Sequence, residues 1–358
     1  MKIAYYLNCI STHELPVALE IVKLVGYENV LYIDGGLKGQ AYQTVNAGKD
    51  IGVRIATIDS KYAREAIENW DVMITGIRNI DLFERRQSRG LITFYGSERW
   101  FKPLTLFNLR LFDCLISVAM PGWIRMWVPS YRRMARRLVE WANGDPGARV
   151  MAEGPWARRD FIGMGVLEDK IVPWGYFVSP SARERSRCRK AGDELKVLWA
   201  GRPLGWKRVR DIERAVVLAN KNISKAALRL RLPAMTITFT KLTGQSPGAV
   251  RQAMREHDVY VLSSDASEGW GAALSEALEE GMMAVGTFEA GASAAMLPKE
   301  RLYHSGDVRA LAKLLEWEFY GELPPCSIGE WTAEKAARRL FGMCANTEDD
   351  GIKQQTIS

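Results

Sequence analysis

The sequence predicts an α/β protein made of two doubly wound parallel-sheet domains. Three observations carry this. Strand and helix patterns alternate along nearly the whole chain, the alternation breaks once at a polar, basic segment, and 358 residues exceed what one hydrophobic core usually organises. Hydrophobic residues at 47% against 25% charged ones suffice to bury a core in each half.

The first domain is expected over 1–178. It opens with the strand KIAYYLN, a helix from Pro16 (PVALEIVKLVG) and the strand NVLYID, which ends at Gly35 and Gly36. Proline inside a helix start and glycine just past an end are boundary signals with a backbone cause. Further strands are expected at DVMITGI, GLITFYG and ARVMAEG, with helices between them, which implies a parallel sheet covered on both faces. The segment 179–194, SPSARERSRCRKAGDE, reads as the linker.

The second domain, expected over 195–328, repeats the rhythm. LKVLWAG, MTITFT, DVYVLSS and MMAVGTF are its strands; RVRDIERAVVLANK, SPGAVRQAMREH and AALSEALEEG are its helices. A last helix within 329–345, TAEKAARRLFGMC, is expected to pack back on the first domain, and 346–358 form a polar tail expected to be disordered.

The opening MKIAYYLNCI breaks at STHELP and reads as a strand, not a signal peptide, and no apolar run approaches eighteen residues, so a cytoplasmic protein is expected. The five cysteines, Cys9, Cys114, Cys188, Cys326 and Cys344, lie far apart and are expected to be reduced thiols. With no close cysteine pair and no Asp-x-Asp element in a folded region, neither a metal nor another cofactor is expected. A net charge of +7 favours anionic partners.

The chemistry concentrates in SSDASEGWGAALSEALEEG, residues 263–281. In open parallel sheets, ligands bind at the carboxyl ends of strands, and this stretch follows one. Gly269 and Gly271 let a ligand approach the backbone, and the helix behind them presents unpaired amides to a phosphate. Glu268 and Glu276 stand on either side of that tip, roughly 8 to 12 Å apart at about 1.5 Å of rise per residue, about the span of a diphosphate with a sugar at each end. Carboxylates accept hydrogen bonds from paired hydroxyls. GRPLGWK, after LKVLWA, brings Arg202 and Lys207 to offset the diphosphate, and KLTGQ follows MTITFT. Glu279 and Glu280 read as a solvated helix end.

GRPLGWK followed by SEGWGAALSE resembles the retaining glycosyltransferases of the GT-B fold, two Rossmann-like doubly wound domains across a cleft, and within them glycosyltransferase family four. The likeness covers roughly 195–310. It implies that Arg202 and Lys207 bind a UDP- or GDP-linked donor's diphosphate, that Glu268 contacts the transferred sugar and that Glu276 binds the ribose. Gly269, Trp270 and Gly271 then belong to the donor loop, and Thr243, Gly244 and Gln245 to the region that holds the base. It further implies transfer with retention, attack from the leaving-group side, no covalent enzyme nucleophile, and domain closure that excludes water.

The first domain would take a glycan or lipid-linked acceptor. Here the family's usual glycine-rich loop is replaced by NCISTHELP, so His13 is either a cleft contact or base, or a structural residue at the helix start. Glu98 and Arg99, in YGSERWFK, are the other cleft candidates. Between 122 and 160, Arg132, Arg133, Arg136 and Arg137 lie off an apolar stripe of Tyr131, Met134, Leu138 and Trp141 on a helix expected from Ser130. They form either a solvated face or a surface for anionic membrane, the latter favoured if Trp123 and Trp127 are exposed. The rival readings are a nucleotide-sugar 2-epimerase of the same architecture, a silent partner subunit, and a basic nucleic-acid-binding protein; no recognition motif for nucleic acid is readable.

Overall fold

The structure is a computed structural model that describes residues 1–8, 13–36, 51–111, 114–179, 194–231 and 236–345, by backbone alone over 104–120. The first half runs β1 (Ile3–Leu7), α1 (Leu15–Val25), β2 (Val30–Asp34), β3 (Arg54–Thr57), α2 (Lys61–Asn69), β4 (Val72–Thr75), α3 (Ile80–Gln87), β5 (Ile92–Ser97), β6 (Leu104–Leu111), β7 (Cys114–Met120), α4 (Pro129–Gly144), β8 (Ala148–Glu153), α5 (Pro155–Met164) and β9 (Ile171–Trp174). Its sheet has the order β3-β2-β1-β4-β5-β8-β9 with every pairing parallel, and β6–β7 form a separate antiparallel hairpin.

The second half runs β10 (Glu194–Ala200), α6 (Val209–Leu230), β11 (Thr236–Leu242), α7 (Pro247–Glu256), β12 (Val259–Leu262), α8 (Ala272–Glu279), β13 (Met283–Thr287), α9 (Gly291–Met296), β14 (Leu302–Tyr303), α10 (Val308–Tyr320) and α11 (Ala333–Ala345). Its parallel sheet has the order β11-β10-β12-β13-β14. Nearly all of the segment read as linker, and the whole of 346–358, lie outside the described residues.

The central strands of each sheet are buried on both faces, which is why they read as continuous apolar runs. Along the first sheet, alternate residues enter different cores: Ala4, Leu31 and Met73 pack beneath α2 to α5, whereas Ile3, Tyr5, Val30 and Val72 pack against α1 and α11. The second sheet divides likewise, with Val197 and Val259 facing α6 and α10 and Leu198 and Tyr260 facing α7 and α8. The α11 residues Ala333, Ala336, Ala337 and Leu340 thus close the first domain's core after the chain has passed through the second.

One cation sits inside this packing. The Arg86 side chain is fully buried and donates to the carbonyls of Ile67 (2.7 Å), Trp70 (2.9 Å) and Ile92 (2.8 Å) and to the Thr93 hydroxyl (2.9 Å), while burial lowers its pKa to about 10.

Strand order reverses between β1 and β4 in one sheet and between β10 and β12 in the other. At such a reversal the connecting chains leave on opposite faces and open a crevice. The loops after β1, β4, β5 and β8 therefore meet those after β10 and β12. Several elements differ from expectation: α6 runs on to Leu230, α4 starts at Pro129, and β3, β9, β14 and the hairpin were not anticipated.

Candidate active site in the interdomain cleft

The loop after β10 ends in a short turn over Gly205–Lys207, and Arg208 then adopts a left-handed backbone at φ 50° before α6 begins. A non-glycine residue there is strained. It is held by Arg208 Nε on Asp211 (2.6 Å), by the Ser263 hydroxyl on the Lys207 carbonyl (2.7 Å) and by the Asp265 amide on the Trp206 carbonyl (2.9 Å). These bonds lock the loops after β10 and β12 together. As a result, the Lys207 ammonium donates directly to Glu268, whose same carboxylate oxygen accepts the Ser264 hydroxyl at 2.7 Å. Glu268 is 7% exposed, so the pair is shielded from water and its attraction is strengthened.

Beyond Glu268 the chain turns through Gly269 and Gly271, the latter at φ 98°, into α8, which has no side-chain cap. Apart from the Leu274 amide, which bonds the Gly271 carbonyl at 3.0 Å, its first-turn amides are consequently available to an anion. The α9 turn braces this loop, with the Gly291 amide on the Gly269 carbonyl (3.0 Å) and the Ala292 amide on the Trp270 carbonyl (2.8 Å).

The first domain reaches into the same place. Glu98 Oε1 accepts the Trp270 amide at 3.2 Å while its other oxygen takes the Lys102 ammonium, and a Cβ on Gly269 would overlap the Glu98 carboxyl. An anionic oxygen from one lobe thus already occupies an amide of the other. Arg99 Nη1 donates to the Ala266 carbonyl at 3.1 Å, and Trp156 Nε1 to the Phe288 carbonyl at 2.9 Å.

Glu276 lies in the second turn of α8, 3.8 Å from His13 Nδ1, and the His13 ring stacks on Tyr176 at 5.0 Å. Burial raises the Glu276 pKa, opposed by Arg251, and lowers that of His13, helped by Arg251. His13 does not begin α1; the capping position is Glu14.

On the first-domain side a cavity of about 690 Å³ opens between the ends of β1, β4, β5 and β8. Glu153, the last residue of β8, lines it and is partly exposed toward it. Even so, burial pushes its carboxyl well above the ordinary value, with Glu98 and Glu14 adding to the rise and Lys102 opposing it.

Of the residues expected from sequence, Lys207, Glu268, Gly269, Gly271, Glu276, His13, Glu98 and Arg99 converge on the cleft. Arg202 is exposed after β10, and Thr243, Gly244 and Gln245 are exposed after β11; none makes an ion pair with the converging carboxylates among the described residues. Trp270 turns its indole into the core, where it is fully buried, bonded to the Ser275 hydroxyl (2.9 Å) and packed against Tyr176 and Trp331, while its amide donates to Glu98. Glu279 and Glu280 are not a solvated end, because Arg251 bonds both and Arg255 bonds Glu280 at 2.8 Å. Arg137 is engaged by Asp81 and Glu84 at 2.6 Å each, unlike the exposed Arg132, Arg133 and Arg136. Sequence reasoning missed Arg78, Lys102, Arg125 and Glu153. Glu153 ends an apolar strand and Arg78 follows one closely, the one signal that marked them.

The chain superposes on solved structures over nearly its whole length. Anabaena HepE in complex with UDP matches at a TM-score of 0.59 and 13% identity, covering 97% of this chain and 100% of that one. The fold is GT-B. The lipopolysaccharide outer core galactosyltransferase WaaB gives the same TM-score at 14% identity, covering 97% and 99% of the two chains. A UDP-forming α,α-trehalose-phosphate synthase from Burkholderia xenovorans gives 0.57 at 10% identity, covering 97% and 100%. No protein-family model matches the sequence and no curated protein does. Among the described residues no helix is long and apolar enough to cross a membrane.

Proposed function

We propose that this GT-B protein is a glycosyltransferase that moves a sugar from a UDP- or GDP-linked donor to a glycan or lipid-linked acceptor, with retention and without a metal. The observation that carries the reading is the Trp270 amide at the uncapped end of α8, which already holds a carboxylate oxygen beside the Lys207–Glu268 pair. A seat for anionic oxygen next to a shielded carboxylate suits a diphosphate and a sugar hydroxyl together. Anabaena HepE, of the same fold, has been crystallised with UDP and with UDP-glucose, which supports a nucleotide-sugar donor.

In this reading Arg202, Lys207 and the α8 amides stabilise the departing diphosphate, and no step needs a covalent enzyme nucleophile. Glu268 contacts the transferred sugar and Glu276 the ribose. Gly269 and Gly271 admit the donor to the backbone, and Thr243, Gly244 and Gln245 lie by the base. Lys207 exchanges its bond to Glu268 for the diphosphate, and Glu98 yields the Trp270 amide. The finer assignment to glycosyltransferase family four rests on the residues Arg202, Lys207, Glu268 and Glu276. A peripheral membrane site is supported by Trp123 and Trp127, 52% and 72% exposed beside Arg132, Arg133 and Arg136.

The test is thermal stabilisation by UDP, GDP and their sugar conjugates. One nucleotide at 100 times its Kd is expected to add about 2.7 kcal/mol, an effect lost in Arg202→Ala and in Glu276→Ala. Absence of a shift with every nucleotide overturns the proposal. Product analysis with and without acceptor then separates transfer from epimerisation.

A further inference from the structure

The first-domain cavity holds more positive charge than its carboxylates match. Lys102 is taken by Glu98, and Arg99 lies 4.0 Å from Asp160 and donates to Ala266. Arg78, which is exposed, and Arg125, which is half-buried, have no carboxylate partner among the described residues, yet each is held by hydrogen bonds. Arg78, on the loop after β4, donates through Nε to the buried Tyr95 hydroxyl at 2.8 Å, and its guanidinium lies 4.4 Å from the centroid of the buried Trp100 ring. Arg125 donates through Nη1 to the Trp100 carbonyl at 3.1 Å, and the Tyr131 hydroxyl donates to that same carbonyl at 3.2 Å. Both guanidiniums act on the Tyr131 phenol, opposing the rise that burial imposes on its pKa. The carboxylate that also acts on Tyr131, Asp160, is spoken for by the Phe101 amide at 2.9 Å.

From this arrangement we infer that the cavity around Trp100 is a subsite for a phosphate group carried by the acceptor, gripped by Arg78 and Arg125 with Tyr131 beside them. Two like charges fixed on one residue, Arg78 over the Trp100 ring and Arg125 on the Trp100 carbonyl, repel each other, and an anion shared by both relieves that repulsion. A guanidinium fork matches the paired oxygens of a phosphate, and here the forks are oriented before any ligand arrives, which lowers the ordering cost of binding. Glu153, on the same cavity, holds its proton to higher pH than an ordinary carboxyl, chiefly because it is buried. The inference rests on the reading of the cavity as the acceptor side and narrows the acceptor class to phosphorylated molecules.

The phosphate has two possible carriers, a soluble sugar phosphate or a lipid headgroup. Arg125 belongs to the same turn as the exposed Trp123 and Trp127, so both are tested. Calorimetric titration compares glucose 6-phosphate with glucose, and co-sedimentation compares phosphatidic acid vesicles with phosphatidylcholine vesicles. At least one phosphorylated probe is expected to bind at least about 10-fold more tightly than its neutral counterpart. Arg78→Gln or Arg125→Gln is expected to remove about 10-fold of that each, as charge-assisted hydrogen bonds allow. Arg125→Lys, which keeps the charge and loses the fork, provides a milder variant with an intermediate loss. Equal binding of phosphorylated and neutral probes overturns the inference, as does binding indifferent to these variants, or binding abolished instead by Arg202→Gln, which would place the anion at the donor seat. UDP titration on the same variants keeps the two readings apart. Retained UDP binding with a lost phosphate response supports the subsite, whereas failure of UDP to bind the wild type refutes the donor reading while the phosphate arms are judged independently.

Discussion

Replacing Glu153 by glutamine is expected to stabilise the protein at neutral pH and to change nothing at pH 4. The folded protein raises this carboxyl well above its ordinary value of 4.5, chiefly through burial at the end of β8 and then through the charges of Glu98 and Glu14, against the pull of Lys102. The unfolded chain ionises it near the ordinary value. The favourable contribution of the protonated form is therefore complete below about pH 4.5 and is lost as pH rises through the folded pKa, each pH unit of that window being worth about 1.4 kcal/mol. Glutamine has nearly the same shape and does not titrate. Its advantage should be absent at pH 4, grow with that slope above pH 4.5, and level off above the folded pKa. Partial access of the carboxyl to cavity water shortens the window relative to full burial. Urea unfolding of both proteins at unit pH intervals from 4 to 8 measures the difference directly. A variant that is less stable than wild type at pH 7, or a difference that does not grow between pH 5 and pH 7, would mean that Glu153 is ionised and held by Lys102, and the reasoning fails.

His13 should show the opposite slope. Burial and then Arg251 lower its pKa, so its contribution is present above the unfolded value near 6.5 and is lost as pH falls through the folded one; His13→Gln should lose less melting temperature than wild type between pH 7.5 and 5.5. Gly175→Ala should cost about 1–3 kcal/mol in denaturant unfolding, because a Cβ there would overlap the buried Trp270 ring. Arg86→Met should cost about 3–5 kcal/mol in the same assay, since it strands three buried carbonyls and the Thr93 hydroxyl; an unchanged midpoint would mean that water replaces the guanidinium.

The two-sheet architecture was legible because strands buried on both faces must be apolar throughout, and runs such as DVYVL and LKVLWA carry that demand in their composition. The hairpin β6–β7 was not, since its apolar run lacks the glycine or asparagine turn that announces a hairpin. Lys207, Glu268 and Glu276 could be found because local spacing at a strand end fixes where they project. Trp270 sits in the same glycine-rich loop, yet its indole turns into the core because Gly175 and Trp331, distant in sequence, make room for it. Arg137 looked equivalent to its three neighbours until α3 placed Asp81 and Glu84, more than fifty residues earlier, against it. Glu98 was placed near the cleft by its strand end, but that its oxygen would meet an amide of the opposite lobe depends on how the sheets face each other, which no local pattern encodes.

The chain leaves the first domain beside Val178 and re-enters it at Thr332, and these two residues form a parallel bridge, with Val178 donating to the Trp331 carbonyl at 3.1 Å and Ala333 to the Val178 carbonyl at 3.0 Å. Two crossings pinned side by side act as one hinge, so the lobes can swing about that pin far more readily than they can slide or separate. Among the contacts that resist the swing are Glu98 on the Trp270 amide, Arg99 on the Ala266 carbonyl, Trp156 on the Phe288 carbonyl and Glu276 beside His13. At a net worth of about 1 kcal/mol each, the three hydrogen bonds among these contribute only modestly to holding the lobes in this arrangement.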